Sequence, residues 1–355
     1  MIAFLTRKIV YSATILVGVA ALVFFLFQGM GDPARIAMGQ TGDPKTLKNI
    51  QREMYLIDDN GNPISKGKQF LLYLNDLSPI SVHDRLEIEQ KQLSGFFWGE
   101  QRVFALKIPY LRRSYQSKRP VTSLLKDALP GTLILTITAL FMAVLVGIPL
   151  GMMAAIKQHS WIDRLSLFLG TLGISAPTFF VGICVIYLFG FVWNEWTGLP
   201  IAGNWYAIDD SGKSVLTLKH LILPACTLGI RPLSIIVQLT RSSVLDVLQQ
   251  DYIRTARSKG LSNARIYFRH ALPNALNPVI TAVTGWFAEL LAGAFFIEYI
   301  FGWQGVGKLT VDGLEKLDYP VVMGSVMLAA TLFILVNLLA DWLQARMDPR
   351  IRSDH

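Results

Sequence analysis

Cysteine is scarce in this chain. Cys184 and Cys226 are the only two, and both fall inside long apolar stretches. That excludes a disulfide framework and a cysteine-built zinc centre. The five histidines, His83, His159, His220, His270 and His355, show no metal-ligand spacing. Charge is short as well: 16% of the 355 residues are Asp, Glu, Lys or Arg, against about 25% in an ordinary soluble domain. There is no clear internal repeat or pair of broken helices, the pattern expected of a stand-alone secondary transporter or channel. Nor does any apolar stretch carry a histidine-containing catalytic motif, which argues against an intramembrane enzyme.

What the chain has instead is apolar length. Hydrophobic residues make up 52% of it, and residues 9–31, 128–156, 165–194 and 319–340 contain no charged residue at all. A hydrocarbon core about 30 Å thick needs roughly 20 helical residues at 1.5 Å each, and every one of these runs reaches that length. Two further segments, 220–240 and 271–297, are equally long but interrupted by Arg231 and Glu289. The expectation is an all-α polytopic membrane protein of six spans, at about 9–30, 130–156, 165–193, 220–241, 275–298 and 319–341. Residues 1–30 read as an uncleaved first span, because the apolar stretch after Arg7 and Lys8 exceeds the 7–15 residues of a signal core.

Short basic connections stay in the cytoplasm. Lys157 and Arg164 lie between spans two and three. Arg241, Arg254, Arg257, Lys259, Arg265 and Arg269 lie between four and five, and Arg346, Arg350 and Arg352 follow span six. Connections of the other parity are acidic or balanced: Glu195, Asp209, Asp210, Lys213 and Lys219 in one, and Lys308, Asp312, Glu315, Lys316 and Asp318 in the other. Both termini are therefore expected inside, and the net charge of +8 reflects orientation rather than nucleic-acid binding. The 31–126 connection is too long to vote. It reads as a small mixed α/β lobe outside the membrane. Asp58-Asp59-Asn60-Gly61-Asn62 forms its hairpin tip, and Asp84 to Gln92 forms a charged helical turn. The predicted organisation is an N-terminal span (1–30), a periplasmic lobe (31–126), a transmembrane core (127–345) with a cytoplasmic loop at 246–273, and a cytoplasmic tail (346–355).

That cytoplasmic loop is the most informative stretch. Asp251 and Lys259 sit at the start and end of a short helix, the order its dipole favours. Gly260 stands where a residue of positive φ would stop it, Ser262 can cap a second helix, and Pro273 opens span five, where a missing N–H costs little. Thr255 and Ala256 are small enough to let another protein's surface approach, and the arginines give it something to hold.

Here the residues carry a resemblance. The stretch is similar to the cytoplasmic signature of binding-protein-dependent ATP-binding-cassette importer permeases: Glu-Ala-Ala, three residues, Gly, nine residues, Ile-x-Leu-Pro. Ala256, Gly260, Leu272 and Pro273 match in place; Arg254 and Thr255 replace Glu-Ala, and His270 replaces Ile. Those departures resemble the dipeptide/oligopeptide/nickel branch. So do Ser114-Tyr115, Arg119-Pro120-Val121, Gly147-Ile148-Pro149-Leu150-Gly151, Thr240-Arg241-Ser242-Ser243, Asn274-Ala275-Leu276, Glu298-x-x-Phe301, Gly302 to Gly307, Asp318-Tyr319-Pro320-Val321 and Asp348-Pro349-Arg350. The resemblance covers residues 1–30 and about 105–352, with 56–92 looking like extra length.

The resemblance implies a type I importer permease fold and a chain that does no chemistry of its own. A second, homologous permease would complete the pore. Two ATPase subunits, binding ATP and magnesium, would dock below, each gripping one such loop, here through Arg254, Thr255, Ala256, Gly260, Leu272 and Pro273. A periplasmic binding protein would deliver peptides or similar small solutes. No cofactor is expected in this chain.

Two motif matches fail on their details. Gly302-Trp303-Gln304-Gly305-Val306-Gly307-Lys308 satisfies G-x-x-x-x-G-K, but Leu309 follows where a phosphate loop needs Ser or Thr. Asp58-x-Asn60-x-Asn62 starts like a calcium loop, but Pro63 stands where Gly is needed and Gln69 where the bidentate Glu belongs. Arg231 and Glu289, with Glu298 at the end of the same span, are expected to avoid lipid. They either wall the solute path, meeting peptide termini, or pair with each other or a sister permease.

Overall fold

The computed structural model describes residues 2–29, 43–58, 60–100, 102–208 and 214–347. In chain order the elements are α1 (Ile2–Gly29), α2 (Pro44–Glu53), α3 (Lys66–Leu77), β1 (Ile80–Asp84), α4 (Arg85–Lys91), β2 (Gly95–Trp98), β3 (Arg102–Lys107), α5 (Val121–Ile156), α6 (Trp161–Ser175), α7 (Thr178–Val185), α8 (Asn194–Thr197), β4 (Tyr206–Ile208) and β5 (Ser214–Leu216). There follow α9 (Lys219–Leu248), α10 (Asp251–Ser258), α11 (Asn263–Arg265), α12 (Leu272–Gly293), α13 (Phe295–Ile300), α14 (Val306–Glu315) and α15 (Tyr319–Met347). Two π-helical stretches, Ile186–Val192 and Ile266–Ala271, continue α7 and precede α12. Residues 31–42, Asp59, Asp209, Asp210, Lys213 and the tail from Asp348, with its Asp348-Pro349-Arg350 motif, lie outside the described residues.

The chain divides into two compact units. The first comprises Met1–Ala128 and Leu309–Thr331. Its core joins α1 (Ala20, Val23, Phe24, Phe27) to Ile50, Met54, Tyr73 and Tyr115, and to Tyr319, Val322 and Met323 of α15. Phe27 and Tyr319 bring their ring centres within 4.7 Å, and Phe24 stacks on Tyr73 at 5.6 Å. Three antiparallel strands in the order β1-β3-β2 form its sheet. The alternation of strand side chains turns Ser81, His83, Val103, Ala105 and Lys107 inward and leaves Ile80, Val82, Phe96, Trp98, Phe104 and Leu106 exposed.

Asp76 is the polar centre of this unit. Buried on α3, it accepts from Tyr55 Oη at 2.8 Å and pairs with Lys91 Nζ at 2.9 Å, while Lys107 Nζ donates to its backbone carbonyl. Burial pushes the Lys107 ammonium down to about 8 and the Tyr73 and Tyr110 phenols up to about 12. Arg112, also buried, lies over the rings of Tyr55 and Tyr73 at 5.4 and 5.6 Å. The expected hairpin tip is a compact turn: Asp58 Oδ1 accepts from Asn62 N at 2.7 Å, Gly61 has φ +87°, and one bridge joins Ile57 to Pro63. The expected helical turn is α4.

The second unit comprises Leu129–Lys308 and Leu332–His355. Its core centres on α9, which packs on α5 and α12 through Leu223, Leu228, Ile236 and Val244, and on α6 where Gly170 and Gly173 face Gln238 and Ser234. The Gly147–Gly151 run lets α5 approach α9 closely. A Cβ at Gly151 would collide with Val237 O and Thr240 Cβ of α9.

Among the described residues, four helices are long and apolar enough to cross a membrane: Thr6–Gly29, Val121–Ile156, Lys219–Leu248 and Tyr319–Trp342. A fifth candidate is the pair Trp161–Ser175 and Thr178–Val192, bent by 111°. The straight span expected over 165–193 is therefore broken. Ala176 adopts ψ +132° and Pro177 ψ +130°, both extended. Proline disfavours helical geometry in the residue before it and supplies no N–H, so the helix stops although hydrophobicity continues.

Candidate functional site

Of the expected loop 246–273, residues 246–248 complete α9, and the remainder folds as its sequence suggests, with two refinements. Helix α10 begins at Asp251 and ends at Ser258; Gly260 then takes φ +74°. Gly260 N donates to Arg257 O at 2.9 Å and Leu261 N to Ala256 O at 3.3 Å, so the last carbonyls are met by the turn itself. Nothing lies within 4 Å of where a Gly260 side chain would begin, so glycine is needed for its backbone freedom and not for space. Ser262 occupies the N-cap position of α11 in extended geometry, but its side chain makes no capping bond.

The second refinement concerns Ala256. It points inward with Ile253, Ile266 and Ala271 to make a small buried cluster under α10. Its small size serves this internal packing. Arg254, Thr255, Arg257, Ser258 and Lys259 all face solvent. Arg254 Nη1 lies 3.4 Å from Asp251 Oδ1, and Thr255 Oγ1 donates to Asp251 O at 3.1 Å. Helix α10 is thus a polar bar clamped by apolar residues on its underside.

The chain then runs without a break from Asn263 through the π-helical turn into α12. Pro273 explains the wide turn. Its ring would clash with the carbonyl four residues back and it cannot donate to it, and a π turn re-spaces those groups. Asn274 Nδ2 donates to His270 O at 2.8 Å, satisfying one carbonyl there. Leu272 is half-buried against the cluster containing Met152, Val244 and Ala275, and Pro273 is exposed.

Arg231 and Glu289, on α9 and α12, come together. Arg231 Nη1 lies 3.9 Å from Glu289 Oε1, with the two side chains 47% and 55% exposed. The guanidinium also sits 5.7 Å from the Trp286 ring centre. Glu298 is elsewhere and fully buried. Its carboxylate accepts from Thr132 Oγ1 at 2.6 Å, Gly307 N at 2.7 Å and Lys308 N at 3.1 Å. Trp303 Nε1 completes the knot by donating to Gly131 O at 2.9 Å. Of the backbone N–H groups that a phosphate loop would present to a nucleotide, those of Gly307 and Lys308 are spent here on a carboxylate of the protein, and that of Val306 on the Thr132 hydroxyl.

One pair escaped the sequence reading. Asp163, near the start of α6, takes a two-pronged bond from Arg241, whose Nη2 donates to Oδ2 at 2.9 Å, and accepts from His159 N at 2.9 Å. The Asp163 side chain is only 3% exposed. A local signal exists, since Ser160-x-x-Asp163 is a helix-start pattern, and Arg241 belongs to the basic connection between spans four and five.

Comparison with known proteins decides what these features belong to. Residues 147–353 match the family described as "Binding-protein-dependent transport system inner membrane component", and residues 1–136 match its N-terminal counterpart. The chain belongs to this family. It is a permease subunit of an ATP-binding-cassette importer, a multi-pass protein of the inner membrane. It is 35% identical to the dipeptide transport system permease protein of Escherichia coli K12, over 99% of both chains. Against the counterpart from Alkalihalophilus pseudofirmus it is 31% identical, covering 99% of this chain and 100% of that one. Against the glutathione transport system permease protein of Salmonella paratyphi A it is 34% identical over 94% of both. The fold is also similar to a chain of the inward-facing MetNI methionine transporter. The TM-score is 0.51 at 16% identity, over 63% of this chain and 96% of that one. The N-terminal match runs through residues 31–104, which the motif resemblance had left out.

Proposed function

We propose that this permease forms half of a translocation path for peptides or similar small solutes, and that α10 with its flanking turn is the element through which ATPase subunits drive it. The observation carrying this reading is the clamped polar bar. Arg254 and Thr255 present themselves to solvent; Ala256 packs the bar against the turn that leads into α12, Gly260 ends it, and Leu272 and Pro273 begin α12. A rigid element joined to a packed helix transmits displacement, where a floppy basic loop would absorb it. The dipeptide and glutathione permeases among its relatives support a peptide-class solute.

In this reading the chain crosses the membrane six times, α12 supplying the fifth span, with both termini in the cytoplasm. Residues 31–126 form a periplasmic lobe, 127–345 the transmembrane core and 346–355 a cytoplasmic tail. A second, homologous permease completes the pore, two ATPase subunits bind ATP and magnesium, and a periplasmic binding protein delivers the solute. Arg231 and Glu289 wall the path. Glu298, which already accepts from Thr132, Gly307 and Lys308, holds the glycine-rich turn at the end of that path.

The test is purification of the tagged chain with its neighbours, followed by reconstitution. An ATPase subunit that co-purifies, with ATP-dependent uptake of Ala-Ala, is the expected result. Uptake by this chain without any ATPase would overturn the reading in favour of a stand-alone carrier.

A further inference from the structure

Helix α12 presents an unusual face for a membrane-spanning segment. Its exposed positions include Asn274, Asn277, Thr281, Gly285 and Glu289. Their spacing of three, four, four and four residues places them in one stripe. Its buried positions, Ala275, Val279, Ala288, Leu290 and Leu291, are all apolar. Among the described residues, no large hydrophobic side chain is exposed between Phe268 and Phe296. Other long helices behave in the opposite way. Helix α5 exposes Ile137, Phe141 and Leu145, α6 exposes Phe168, Leu169 and Leu172, and α15 exposes Phe333, Leu335 and Leu339. Those are faces that lipid accepts. The α12 face is inverted, polar outward and apolar inward, and a helix in hydrocarbon has no reason to be so.

The charged pair completes the strip. Arg231 reaches it from α9, which packs beside α12 through Ile236, Val279 and their neighbours. The 3.9 Å separation and half-exposure of both groups make this an open pair. A guanidinium carries five donors and a carboxylate about four acceptor sites, so most of their capacity is unused. At membrane depth that capacity calls for water, a ligand or a partner. Immediately beside Glu289 on the stripe, Gly285 leaves space: a side chain there would meet nothing within 4 Å.

We propose that the strip Asn277–Thr281–Gly285–Glu289, with Arg231, is the surface of this chain that lines the aqueous route and touches the solute. The solute class is a small zwitterion, its carboxylate taken by Arg231 and its ammonium by Glu289. Binding exchanges one internal ion pair for two to the solute. Release restores the internal pair, so the site is attractive without being a trap, as a conduction route requires. The proposal rests on the permease reading and deepens it.

The experiment uses the full reconstituted complex, with Cys184 and Cys226 replaced by alanine. Single variants Thr281→Cys and Gly285→Cys are exposed to a charged, membrane-impermeant methanethiosulfonate reagent, with Phe141→Cys and Phe168→Cys as lipid-face controls. Labelling at 281 and 285 and none at the controls is expected. No labelling at 281 and 285 in an assembled complex overturns the proposal, because the strip is then covered by lipid or by the sister subunit. In the uptake arm, Gly285→Leu should lower Ala-Ala import at least tenfold with the complex intact. Glu289→Gln should abolish the preference for Ala-Ala over its N-acetylated form. Unchanged import and preference would again overturn it. If the unaltered complex imports no Ala-Ala, the peptide reading fails instead, and the labelling arm still decides whether the strip is wet.

Discussion

Thr132 Oγ1 donates to Glu298 Oε1 at 2.6 Å and at the same time accepts from Val306 N at 2.8 Å. One hydroxyl thereby ties α5 to both sides of the glycine-rich turn. Glu298→Ala removes the acceptor of that hydroxyl and of two N–H groups, the buried one of Gly307 and the half-buried one of Lys308. Unmet buried donors cost about 1–3 kcal/mol each, and partial relaxation should leave a loss of roughly 3 kcal/mol. Thermal unfolding of the detergent-purified chain should show a clearly lowered midpoint. Thr132→Val should cost less, about 1–2 kcal/mol. A Glu298→Ala variant as stable as the parent but defective in uptake would restore this carboxylate to the solute path.

Asp163 and Arg241 should behave as a structural pair. Asp163→Asn leaves a largely buried guanidinium short of its counter-charge, and breaking such a pair costs about 3 kcal/mol. A double-mutant cycle with Arg241→Met, read by thermal unfolding, should give a double variant less impaired than the sum of the singles. Strict additivity would mean that the contact contributes nothing.

Gly260 separates backbone from space. Because the site is open, the cost of a side chain comes from φ +74° alone. Asparagine tolerates that conformation and valine does not, at roughly 1–2 kcal/mol. Gly260→Val should assemble normally while the ratio of solute imported to ATP hydrolysed falls several-fold; Gly260→Asn should stay close to the parent. Equal coupling in the two variants would remove the turn from the force path.

The Asp76 cluster predicts a pH response of the first unit. Lys107 titrates near 8 when folded and near 10.4 when unfolded. Between about pH 8 and 10 the unfolded chain therefore holds the extra proton, and stability rises with pH. Below pH 8 both states carry it and this contribution is flat. Above about pH 10 the buried phenols reverse the slope, since Tyr73 and Tyr110 keep their protons to about 12 while unfolded tyrosine loses them. Melting midpoints of the full chain should rise between about pH 8 and 10, and Lys107→Met should flatten that rise.

Much of this was legible in the sequence because its determinants are local. The Gly260 turn, the Asp251 helix start and the hairpin tip at Gly61 depend on backbone preferences within a few residues. Hydrophobic length likewise marked Val121–Ile156, Lys219–Leu248 and Tyr319–Trp342. What stayed hidden depended on distant partners. Pro177 broke a run whose apolar character never wavered, so a reading by composition passed straight through it. Glu298 looked like Glu289, a lone carboxylate in an apolar stretch. Only the fold separates one facing open space from one wrapped by backbone N–H groups nine residues on. Ala256 is small enough to make room for a partner, yet its methyl is fitted against Ile266 and Ala271.

The π-helical turn at Ile266–Ala271 holds one residue more than an α-helical turn would. Were that residue released into regular helix, everything beyond it would revolve by about 100°, the angle one residue occupies in a 3.6-residue turn. Asn277, Thr281, Gly285 and Glu289 lie on that far side. A small slip in that turn would swing them from one quarter of the compass to the next, with no hinge required within α12 itself.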